Sequence, residues 1–239
     1  MKRSRILLLV MILVVVPATL YVSTRLPGRS YYLMSALVAI EILIPFFAAY
    51  EKRRPQPREL VTVAVLSALA VIARVAIPIP NFKPTFAVIM LAGIAFGPET
   101  GFIVGALGAL GSDFFYGQGP FTPWQMMAYG LAGVLAGAAF ARGRLPRKNW
   151  LMGLFAFLAT VIIVGPLLDT STVFLTLSKI TWKGALALYL SGLWVNLTHG
   201  AACFVFLLLF GNVLLEKLER VKNRYGMMES YEDEDEDGV

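Results

Sequence analysis

Eight apolar stretches dominate this chain, at about 6–24, 32–50, 59–79, 84–97, 99–117, 124–141, 150–168 and 186–215. A helix needs roughly 20 mostly apolar residues to cross about 30 Å of hydrocarbon. Of the 239 residues, 58% are hydrophobic and 15% charged. A soluble domain averages about 45–50% and about 25%. The chain therefore reads as an all-α polytopic membrane protein. The fourth stretch is short and ends at Gly97-Pro98. The last is too long for one crossing and continues as helix through Glu216–Arg220.

Basic residues set the expected orientation. The net charge of +6 conceals seven acids within residues 227–239, which leave eight acids against 21 bases elsewhere. Fifteen of those bases fall in 1–5, 51–58, 142–148 and 217–224, and five in the alternate segments. Lys and Arg concentrate in cytoplasmic loops, so both termini are expected in the cytoplasm and no nucleic acid is implied. Met1–Arg5 followed by Ile6–Val16 resembles a signal peptide, but no small-x-small site follows, so a retained helix is expected. The organisation then reads as a two-helix hairpin over 1–50, a proline-rich basic linker over 51–58, a six-helix core over 59–222 and a disordered acidic tail over 223–239.

The core's outer segments hold its unusual residues: Ile77–Pro84, Asp113–Gln125, and a third from Asp169 to Gly184. They are rich in proline, aromatics and amides. Such segments build either an interfacial aromatic belt or an organic-ligand pocket. The stiffened polar run Gly117-Gln118-Gly119-Pro120 favours the pocket. Tyr189, Gly192, Asn196, His199 and Cys203 share a face of the last helix. Asn196, nearer the outside, is the better ligand group, and His199 reads as an interhelical hydrogen bond. Arg74 and Asp113 either pair or meet an anionic ligand group. Small residues at Ala64/Ala68, Gly101/Gly105/Gly108/Ser112 and Gly133/Gly137 allow close helix approach, mostly internal, without showing which stripe meets another protein.

Several chemistries are excluded. One cysteine (Cys203) and one histidine (His199) give neither a disulfide framework nor a multi-His or Cys-based metal site. There is no Walker A, Gly-x-Ser-x-Gly or His-Glu-x-x-His motif. No catalytic residue and no cofactor of its own is expected.

The run Gly117-Gln118-Gly119-Pro120-Phe121-Thr122-Pro123-Trp124-Gln125-Met126, with Glu51–Leu60, Phe82-Lys83-Pro84 and Gly97–Phe102, resembles the substrate-binding S component of an energy-coupling factor (ECF) vitamin transporter. The resemblance covers residues 51–142 and is nearest the cobalamin type, with Phe121 where that family usually has Trp. It implies a six-helix S-component core, to which the two N-terminal transmembrane helices are additional. It implies binding of a vitamin, cobalamin or another corrinoid, on the outer side of a prokaryotic cell membrane. The partners implied are a transmembrane scaffold subunit and two ATPase subunits that use the ATP. Ala64 and Ala68 match the family's scaffold-contacting Ala-x-x-x-Ala pattern. The expected substrate-binding residues are Asn81, Phe82, Lys83, Tyr116, Gln118, Thr122, Trp124, Gln125 and Asn196. Another vitamin, an outer-face enzyme using Asp113 or Asp169, or a non-catalytic structural subunit are the alternatives.

Overall fold

The computed structural model describes residues 55–227 except 142, together with scattered helical positions between 37 and 51. The described residues form helices and no strand. They are α1 (Pro57–Val75), α2 (Thr85–Phe96), α3 (Pro98–Tyr116), α4 (Thr122–Phe140), α5 (Asn149–Ala159), α6 (Gly165–Thr176) and α7 (Trp182–Arg224). A π-helical turn, Thr160–Val164, joins α5 to α6, so Asn149–Thr176 is one continuous helix of 28 residues. Six rods result. The tail expected to be disordered over 223–239 is described as far as Met227: α7 continues to Arg224 and Met227 is buried, so 223–227 are folded. The hairpin over 1–50 lies outside the described residues, apart from isolated positions. Two of those, Leu43 and Tyr50, are buried and join the core cluster.

Local sequence explains the boundaries. Proline stands in the first turn of α1, α3 and α4, where its missing N–H costs no hydrogen bond; Pro166 lies instead inside the Asn149–Thr176 helix, just after the π turn. Gly97 and Gly117 adopt φ of 95°, a conformation open to glycine, and separate α2 from α3 and α3 from the following loop. Thr181 caps α7 by accepting from the Gly184 amide at 3.2 Å.

Helices Asn149–Thr176 and Trp182–Arg224 are long and apolar enough to cross a membrane, and Thr85–Phe96 is a shorter apolar helix. At 1.5 Å per residue, α7 spans about 65 Å and α2 about 18 Å. The last stretch is thus one unbroken helix through Glu216–Arg220, as its sequence suggested. The third outer segment differs from expectation. Residues 169–176 are helical, because the π turn carries the helix past Pro166, and only 177–181 form a loop.

All of α2 is buried except Val88, which is why it is apolar on every side. The most extensive contact is between α3 and α4. There a Cβ on Gly133 would fall 2.3 Å from the Gly101 carbonyl carbon, and one on Gly105 2.3 Å from the Tyr129 carbonyl oxygen. Those stripes are therefore internal seams. Large apolar side chains such as Val61, Ile162 and Trp194 face outward, as a lipid-facing surface requires.

Candidate ligand-binding site

Because successive rods run in opposite directions, the loops 76–84, 117–121 and 177–181 lie at one end of the molecule, termed here the loop end. The opposite, basic end carries Arg58, Arg144, Arg147, Lys148 and Lys217. In the first loop the Lys83 ammonium donates to the Ile77 carbonyl. The Cys203 thiol of α7 lies 4.0 Å from the Lys83 carbonyl. Asn81 is exposed with φ of 58°, and Phe82 is half-buried. Lys83 thus holds its own loop closed, and Asn81 shapes the turn.

The second loop is folded onto the start of α4. Thr122 Oγ1 accepts from the Gly119 amide at 3.2 Å, and the Thr122 amide donates back to the Gly119 carbonyl at 2.9 Å. Thr122 is buried and its hydroxyl is used in the turn, whereas Gln118 is exposed. Trp124 is 6% exposed and stacks on Phe174 of α6, centroids 6.0 Å apart and planes at 23°. Its indole Nε1 has no hydrogen-bond partner, and neither does the buried Oε1 of Gln125. Gln125 opens onto a cleft of about 310 Å³ between α4 and α6, shared with Phe121, Ser171, Thr172 and Thr176. A buried donor or acceptor left unpaired costs about 1–3 kcal/mol. An unpaired indole N–H and an unpaired amide oxygen beside an aromatic stack are what a polar, flat ligand would relieve.

Below this lies a cationic-aromatic cluster. Arg74 of α1 donates to Asp113 Oδ1 at 2.8 Å and to Ser112 Oγ at 2.5 Å. Tyr116 donates its hydroxyl proton to the Arg74 carbonyl at 3.1 Å. The guanidinium lies 5.0 Å from the Tyr116 ring centroid and 5.3 Å from that of Tyr129, within cation–π range. Tyr129 meets Phe86 edge-on at 4.8 Å, and Phe86 lies 6.1 Å from the His199 ring. Of the two sequence readings for Arg74 and Asp113, the structure shows the ion pair. Asp113 is fully buried, and its second oxygen is unpartnered.

Asn196 is turned to another task. Its amide donates to Asp169 Oδ2 at 2.8 Å. Gly165 and Gly192 make room for the pair: a Cβ on them would lie 2.3 Å from Asn196 Cγ and 2.2 Å from Asp169 Oδ1. The pair pins α6 to α7, as does the 2.7 Å contact between the Thr170 and Tyr189 hydroxyls. His199 Nδ1 sits 3.0 Å from the Val195 carbonyl of its own helix, so the contact is within α7 rather than between helices.

The structure brings Trp124, Gln125, Tyr116 and Lys83 to one end and leaves Asn81 and Gln118 at its surface. Phe174, Phe86 and Tyr129 join the site without having been singled out from sequence. Tyr129 was accessible in principle, being four residues after Gln125 on the same helix face. Phe174 was hidden by its assignment to a loop. Ala64 and Ala68 are exposed on α1 among Leu60, Val61, Val65 and Leu69, a continuous apolar face. Among the described residues no group of His, Cys, Asp or Glu gathers to hold a metal.

A family model described as the ECF-type riboflavin transporter, S component, matches residues 55–217. A UPF0397 protein of Vibrio atlanticus (strain LGP32) is 34% identical over 85 residues, which cover 33% of this chain and 46% of that protein. The chain thus matches under half the length of this relative. No solved structure matches the chain.

Proposed function

The chain belongs to the family of ECF-type riboflavin transporter S components, and from that premise we propose that its loop end is the outward vitamin site of an ATP-driven importer. Members of this family are membrane proteins that bind substrate and are not enzymes. The proposed ligand is a flavin-sized, flat heteroaromatic vitamin rather than a corrinoid. The observation that carries this is Trp124, stacked on Phe174 with its indole N–H unpaired, next to the unpaired Gln125 oxygen. Parting of the Trp124–Phe174 stack would give a planar ring an aromatic face, and the adjacent donor and acceptor suit an edge bearing both C=O and N–H. The cleft of about 310 Å³ onto which Gln125 opens suits a small ring system better than a corrin macrocycle.

In this reading Trp124, Gln125 and Tyr116 touch the vitamin. Phe82 and Lys83 form the facing loop, with Asn81 and Gln118 closing over the mouth. Thr122 holds the second loop in place, and Asn196 acts through Asp169. The exposed Ala64/Ala68 face on α1 receives the transmembrane scaffold, which carries two ATPases. The chain crosses a prokaryotic cell membrane several times with both termini in the cytoplasm, the basic end inward.

Uptake of labelled riboflavin into cells lacking other flavin import tests this reading. Accumulation is expected only when this chain, scaffold and ATPases are expressed together, with cobalamin failing to compete. Cobalamin uptake without riboflavin uptake would restore the corrinoid assignment. No uptake of any vitamin from an assembled complex would favour a structural subunit.

A further inference from the structure

The last helix ends in a chain reversal. Gly226 adopts φ of 52°. Its amide donates to the Asn223 carbonyl at 3.4 Å, and the Met227 amide donates to the Lys222 carbonyl at 3.0 Å. That pair of bonds is the Schellman stop, which turns a chain back against its own helix end. Met227 is 2% exposed, and its sulfur accepts from the Thr62 hydroxyl of α1 at 3.5 Å. Arg58, also of α1, donates to the Tyr225 carbonyl at 2.7 Å. The chain therefore leaves residue 227 held against the first turns of α1, rather than running on past the end of α7.

The surface beside this exit is basic. Lys217, Arg220 and Arg224 are exposed at i, i+3 and i+7 of α7, which is one face of a helix. The exposed Arg58 stands across from them on α1. Neighbouring cations are committed elsewhere: Arg147 pairs with Glu219, and Lys222 donates to the Ala95 carbonyl at 3.2 Å. Among the described residues no hydrogen bond or ion pair reaches Lys217, Arg220 or Arg224. Glu216, one turn before Arg220, offsets one of these charges at most.

The sequence that follows has the opposite charge. Residues 229–237 contain seven acids and no base, with six of the acids consecutive from Glu232 to Asp237. From Arg224 to Lys217 the stripe rises about 10 Å. Glu232 is five residues beyond Met227, a reach of up to about 17 Å for extended chain. The run of six acids spans roughly 20 Å more, so the segment reaches every cation of the stripe without strain.

We infer that the acidic segment 229–237 docks on the basic stripe of α7, its carboxylates along Lys217, Arg220 and Arg224 with Arg58 on the α1 side. The docked segment stitches the end of α7 to the first turn of α1. It fills the place that anionic headgroups or another polyanion would take. This stands apart from the vitamin site and holds whichever vitamin is bound.

The test uses the full chain, purified in uncharged detergent at low salt and treated with a water-soluble carbodiimide, which joins a carboxylate to an amine in contact with it. Linked peptides from the monomer are read by mass spectrometry. Lys217 is the lysine of the stripe and should be the main partner of 229–237. Near 1 M salt, where the screening length falls to about 3 Å, the link should drop about fivefold or more. Arg220→Glu with Arg224→Glu, which leaves Lys217 in place, should lower it by a similar factor. The thermal midpoint checks folding, and Arg220→Gln with Arg224→Gln carries the same comparison if the charge reversal shifts it. In phosphatidylglycerol bilayer discs the link should persist. Its loss there assigns the stripe to lipid headgroups and overturns the inference. So does a link mainly to Lys2, Lys52, Lys148 or Lys222, a link only between two chains, no link at all, or a Lys217 link indifferent to salt and to both arginines in folded protein.

Discussion

The Arg74–Asp113 pair shows how one buried contact limits what a substitution can do. Asp113 is fully buried, and its partner is mostly so. Removing one member of such a pair leaves a charge stranded in the interior, typically at about 3–5 kcal/mol. Arg74→Gln should therefore lower the thermal midpoint in detergent sharply, and Arg74→Gln with Asp113→Asn should recover much of the loss. Equal losses in both would mean that the pair is not coupled. Trp124 needs a gentler probe, because truncating a large buried aromatic costs about 3–5 kcal/mol in packing alone. Trp124→Phe keeps a ring against Phe174 and removes only the indole N–H. It should weaken vitamin binding about tenfold or less, one hydrogen bond's worth, with the midpoint nearly unchanged. Unchanged affinity would take the indole out of the site.

Element packing turns on glycine. At Gly133 a methyl would meet the Gly101 backbone at 2.3 Å, and neither backbone can yield without parting α3 from α4. Gly133→Ala should reduce the yield of folded protein and the midpoint, whereas Ala138→Ser, at an exposed position of α4, should change them little. A wild-type midpoint in Gly133→Ala would show that the helices are less closely packed. The seams, the turn at Gly97-Pro98 and the long last helix were all legible in the sequence, since each depends on local chemistry: small side chains, proline in a first turn, an unbroken apolar run. The extension of the α5 rod to Thr176 was not. A π turn adds a residue to the helical repeat without a composition of its own, so Phe174 was assigned to a loop and its stack with Trp124 went unseen. Asn196 was legible as a buried polar group but not as Asp169's partner, because pairing across helices depends on tertiary placement. The loop-end cluster was legible as a region, through its aromatics and amides, rather than as a geometry.

In the proposed reading, two surfaces of the molecule divide the work. The loop end gathers unpaired polar atoms and stacked rings, and the α1 face presents Ala64 and Ala68 in an exposed apolar stripe. The account predicts that they fail separately. Ala68→Trp, a bulky side chain on an exposed face, should abolish co-purification with scaffold and ATPases while leaving vitamin affinity within about twofold. Loss of both together would place the stripe inside the vitamin site. The central claim is narrower still: this chain alone, without scaffold or ATP, recognises the vitamin. It is tested most directly by titrating the purified, monodisperse chain with riboflavin and following the quenching of flavin fluorescence. The account predicts saturation at one riboflavin per chain with sub-micromolar affinity, on the order of −8 kcal/mol or tighter. Unquenched flavin over protein shown to be folded would contradict it.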